Sequence, residues 1–143
     1  MNDGHTSEGP IEPRQAYQTD LYGNRWAPVL IAWSPPEESQ RLEGKVVGVG
    51  GSGQSVAAGR PSALVTGQVA LDAPALEEIM QRPDGTLVVR AVIMHELGHV
   101  VGLAHVDDPK QLMNADNTGS IEFADGDRAG LALLGRGVCV PEI

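Results

Sequence analysis

The sequence has little with which to brace a core from outside. It holds a single cysteine, Cys139, among 143 residues, so no disulfide can close within the chain. Cys139 reads as a small buried or semi-buried thiol. Aromatic residues make up 3 %, which leaves the core to Val, Leu, Ile and Ala. Basic residues are few: 10 against 19 acidic ones, a formal charge of −9. With no basic patch, neither nucleic acid nor an anionic membrane is an expected partner. No apolar run approaches the ~20 residues of a membrane span, and none near Met1 has the form of a signal peptide. Histidine is scarce as well, with four in all.

What is present points to one folded domain. Hydrophobic residues reach 41 % over a length that can bury a real core. The 18 Gly and 10 Pro favour a fold with many turns over a helical bundle. Residues 1–25 are polar, rich in Pro and Gly and without period, an extended N-terminal arm in which His5 is no expected ligand. Residues 26–143 then form the single domain. PVLIAWS (28–34) predicts a buried strand ended by Pro35 and Pro36. KVVGVGGSG (45–53) predicts a second strand running into a glycine loop, a flexible turn rather than a phosphate cradle because the Lys-Ser/Thr ending of a P-loop is missing. ALVTGQVALD (63–72) alternates as a third strand, bent around Gly67. Asp72 is placed to cap a short helix over 74–80. Thr86 is placed to cap the next, whose apolar positions Val89, Val92, Ile93, Leu97 and Val100 recur at helical spacing. DDPKQLMNADNTGS reads as loop, and DGDRAGLALLGRG as a short C-terminal helix closed by glycine.

Three of the four histidines fall within eleven positions, in HELGHVVGLAH, residues 95–105. Helical residues four apart lie about 40° apart around the axis and roughly 6 Å along it. His95 and His99 therefore share a face at a separation suited to one metal ion. Gly102 can turn the chain left-handed and end the helix, which lets His105 reach the same ion. Three nitrogen ligands with one place left for water is the pattern of a catalytic zinc, whereas closed structural sites rely mostly on cysteine. Glu96 lies about 100° round the helix from His95, beside the metal rather than on it. There it can take a proton from the water that zinc activates and pass it to a leaving amine. The chemistry that this arrangement suits is hydrolysis of an amide bond.

HELGHVVGLAH resembles the zinc-binding consensus of the metzincin metallopeptidases, and its continuation HVDDPKQLM resembles the matrixins among them. The resemblance implies an α+β fold of the zincin type: a small twisted mixed sheet, an active-site helix and a C-terminal loop-plus-helix subdomain. It implies a zinc-dependent endopeptidase acting on peptide or protein substrates, with one catalytic zinc on His95, His99 and His105 and with Glu96 as general base and acid. Met113 becomes the methionine of a turn beneath the site, Asp108 a loop-stabilising carboxylate, and Asp127 the anchor of the C-terminal helix. A secreted location is what the resemblance favours. A DGD at 125–127 is too short to support a calcium loop. By analogy of element order, the edge strand that pairs with substrate is expected within residues 63–72, with residues 114–124 shaping the pocket beyond the scissile bond.

Three features depart from the family pattern. Residues 1–62 show no long first helix. Asn114 follows Met113 where many relatives have tyrosine, and no tyrosine occurs after Tyr22. No pro-segment cysteine is visible. These departures support a competing reading, a zinc-binding interaction module of the same fold with weak or no catalysis. From residue 103 onward seven acidic side chains stand against three basic ones, a solvated acidic surface with at most a hint of tolerance for basic substrates.

Overall fold

A computed structural model describes residues 14–56, 58–116, 119–138 and 140. His5 and Cys139 lie outside the described residues. The described part of the 1–25 segment is not featureless: it includes a single helical turn, α1 (Thr19–Tyr22). Arg14 ties this segment down by donating to Thr66 Oγ1 at 3.1 Å and to the Gly67 and Pro28 carbonyls at 3.2 and 2.7 Å.

Three strands form one mixed sheet: β1 (Leu30–Ser34), β2 (Gly48–Ser55) and β3 (Ala63–Asp72), in the order β1-β3-β2. β3 is central. It runs parallel to β1 and antiparallel to β2, with a register shift at Gly53/Gln54. The sheet thus corrects two expectations. The strand at 63–72 is not an edge; β2 is the edge beside the helix of the histidine motif. The glycines of GVGGSG belong to that strand rather than to a loop beyond it.

The C-terminal half of β3 is buried on both faces, which is why VAL at 69–71 is continuously apolar. Val69 and Leu71 join Leu76, Val89, Val92 and Val100 in the main core. Ala70 points the other way, onto Leu42 from a 3₁₀ turn (Gln40–Leu42), with Ala32 and Val49 alongside. This turn covers the face where the family pattern calls for a long helix; among the described residues no long helix precedes β1.

Asp72 ends β3 and caps α2 (Ala73–Met80), its carboxylate accepting from Ala75 N–H at 3.0 Å, as its position predicts. The next helix, α3 (Gly85–Val101), begins one residue before Thr86 and has no side-chain cap. Gly85 opens it because a Cβ there would meet the Ile79 carbonyl oxygen at 2.2 Å. α3 is apolar around most of its circumference since it is covered twice, by the sheet and by the segment after Gly102. A final helix, α4 (Asp125–Leu133), follows the loop, and Gly135 beyond it has φ +73°. The result is the α+β arrangement expected, a small mixed sheet with an active-site helix and a loop-plus-helix end.

Candidate metal centre

His95 and His99 project from the last turns of α3, one turn apart. Gly102 ends the helix at φ +111°, where an L side chain is strained. Its N–H bonds the His99 carbonyl at 3.1 Å and that of Leu103 bonds the Gly98 carbonyl at 2.9 Å, the two bonds of a Schellman turn. The reversed chain delivers His105. The three Nε2 atoms then stand 3.0, 3.0 and 3.1 Å apart.

The second nitrogen of each helical histidine fixes its chemistry. His95 Nδ1 lies 2.7 Å from the Leu112 carbonyl and His99 Nδ1 lies 2.8 Å from that of Leu103. A carbonyl oxygen only accepts, so both Nδ1 atoms carry a proton, and in the neutral imidazole this leaves each Nε2 with its lone pair. Two lone pairs facing each other at 3.1 Å repel, and neither nitrogen can donate to the other. A cation between them removes the conflict. Three nitrogens held tetrahedrally at about 2.0–2.1 Å from zinc stand roughly 3.3 Å apart, close to the observed triangle. The residues fit the ion. Burial also holds His95 and His105 below the ordinary imidazole value, which favours the neutral, ligating form.

Beneath the triad lies the turn carrying Leu112 and Met113, both buried. Val106 N–H reaches the Met113 carbonyl at 3.0 Å, and Asn114 Nδ2 donates to the Val106 carbonyl at 2.9 Å, so the chain leaving His105 is stitched to this turn. Asp127, on α4, accepts from Leu112 N–H at 2.7 Å, Met113 N–H at 3.2 Å and Ala124 N–H at 2.9 Å. One buried carboxylate thus holds both the turn and the start of α4, and through the Leu112 carbonyl it steadies His95. Asp108 closes its own loop, accepting from Lys110 N–H at 3.0 Å and Gln111 Nε2 at 2.9 Å.

Glu96 is buried beside the triad on the face of α3 that meets β2. Burial pushes its carboxyl above the ordinary value, with partial relief from His99 and from the Gly50 N–H that it accepts. Two glycines create its space. A Cβ on Gly50 would meet the Glu96 backbone oxygen at 2.2 Å, and one on Gly48 would meet Glu96 Cγ at 3.0 Å. Gly98 does the same for the floor, since a Cβ there would lie 2.6 Å from Met113 Sδ. Sequence reasoning missed Gly48, Gly50 and Gly98. The signal for the first two was glycine at alternate positions of a valine-rich run, one bare face of a strand. A cleft of about 540 Å³ runs between β2 and the triad, with Val47, Val49, Val92 and Ala115 among its walls and Glu96 at its edge.

A family model for the matrixins matches residues 32–134, well over half of the chain. The chain belongs to the matrixin family. No curated protein and no solved structure matches this matrixin significantly. Membership accounts for the shared plan of sheet, helix and loop-plus-helix end. It makes the histidine triad of this matrixin a candidate zinc site and marks the domain as metalloprotease-like, with peptides or proteins as the implied substrate class.

Proposed function

We propose that the chain is a zinc-dependent endopeptidase. His95, His99 and His105 hold one zinc ion, with Met113 and Gly102 supporting the site and Asp108 fixing the adjoining loop. When bound, zinc supplies Lewis acidity, activating water and polarising the scissile carbonyl. Glu96 is the general base and acid: its carboxylate lies on the cleft side of α3, and its burial raises its basicity toward the working range. The Gly50 N–H orients one carboxylate oxygen. Substrate lies extended along β2, an edge strand of the sheet, as an added strand. The observation that carries the reading is the pair of bare Nε2 atoms on His95 and His99, locked by carbonyls and converging with His105.

The test measures zinc per chain and cleavage of denatured casein, with and without chelator, for the wild type and Glu96→Ala. One zinc in both proteins, with chelator-sensitive cleavage in the wild type alone, is the expected outcome. Zinc in both with no cleavage by either would instead favour the interaction module, for which the missing tyrosine after Met113 speaks. Equal cleavage by the variant removes Glu96 from its role.

A further inference from the structure

The cleft beside the triad has apolar walls except for a few side chains, and among the described residues lining it Lys45, just ahead of β2, is the one Lys or Arg. It is exposed, and among the described residues no carboxylate pairs with it. Among the described residues the one carboxylate lining the cleft, Glu96, is turned into the Gly48–Gly50 stretch. Lys45 therefore puts a positive charge on the cleft of a chain whose total charge is −9. Proximity decides which field a bound peptide meets. Beyond a Debye length of about 8 Å the acidic surface is screened, whereas a side chain beside Lys45 is not.

We propose that Lys45 selects peptide substrates carrying an acidic side chain. The proposal rests on the peptidase reading and names its substrate class. Gly50, the strand residue opposite Glu96, is five positions from Lys45. Lys45 lies in the turn ahead of β2, which begins at Gly48; at about 3.3 Å per residue of extended substrate, and allowing for the lysine stem, the acidic residue falls within roughly four positions of the scissile bond.

The experiment compares matched peptides bearing Asp, Ala or Lys at each of these positions, by kcat/KM and by equilibrium binding. Wild type, Lys45→Gln and Lys45→Glu are tested in low and high salt. At one position the wild type favours Asp over Ala by about two- to five-fold, the range of an exposed charge contact. Salt shrinks this preference, Lys45→Gln abolishes it, and Lys45→Glu turns it toward Lys, while the Ala peptide is handled alike by all three. Equal treatment of Asp and Ala peptides by the wild type, or a preference that survives Lys45→Gln, overturns the proposal. If no peptide is cleaved, the peptidase reading fails, and the binding arm still decides the role of Lys45 by the same criteria.

Discussion

Gly98 has no side chain because Met113 occupies that space. A Cβ at this position would lie 2.6 Å from Met113 Sδ and 3.1 Å from Cε. Methionine can swing, so the conflict is relieved by moving the floor of the site rather than by breaking α3. Gly98→Ala is therefore expected to cost about 1–3 kcal/mol, as overpacking in a core does. Helix propensity alone would push the other way, since alanine is the better helix former by about 1 kcal/mol. Denaturant unfolding of the metal-free protein decides which effect wins, and competition with a zinc chelator shows whether the triad loosens with it. A more stable variant with unchanged zinc affinity would mean that Met113 does not press on Gly98.

At the scale of elements, the contact between α3 and β2 governs where Glu96 sits. The obstacle to a Cβ on Gly50 is the Glu96 backbone itself, at 2.2 to 2.9 Å, and no rotamer change relieves it. Gly51 meets nothing within 4 Å. Gly50→Ala should separate helix from strand and abolish casein cleavage, while Gly51→Ala stays within about ±0.5 kcal/mol of wild-type stability, as ordinary surface changes do. Matching activities in the two variants would remove Gly50 from the site. The same contact explains what the sequence could and could not reveal. β3 and the Asp72 cap were legible because alternation and a capping carboxylate are local signals. The Schellman turn at Gly102 was legible because its glycine follows a helical period. β2 was expected as a strand, but its glycine stretch was read as a loop because strand preference disfavours glycine, and the demand for a bare strand face comes from Glu96, over forty residues away. Gly85 displaced Thr86 as the helix start for a similar reason: the crowding lies in α2. Nor could element order tell that β3 is flanked on both sides, which leaves β2 and β1 as the edges of the sheet among the described residues.

For the whole molecule, acidity bears on the fold and on the proposed zinc site together. His95 and His105 have folded-state values held below the ordinary 6.5 by burial. Between those depressed values and 6.5 the unfolded chain binds more protons, so stability rises with pH. Metal-free protein should thus keep this contribution above about pH 6.5 and lose it as pH falls through the lower values. Zinc-loaded protein should show a steeper loss, since protonation also expels the ion. Melting curves of the two forms across this range make the comparison; a melting temperature of the metal-free form that does not fall with acidification would contradict the direction given. The tie made by Asp127 has a further consequence, for biosynthesis. A nascent chain has all three histidines once residue 105 has left the ribosome, yet the turn that steadies His95 is held by a carboxylate 22 residues later. On the proposed reading, metal loading in its final geometry waits for α4, so the site is set only after the residues of that helix have been made.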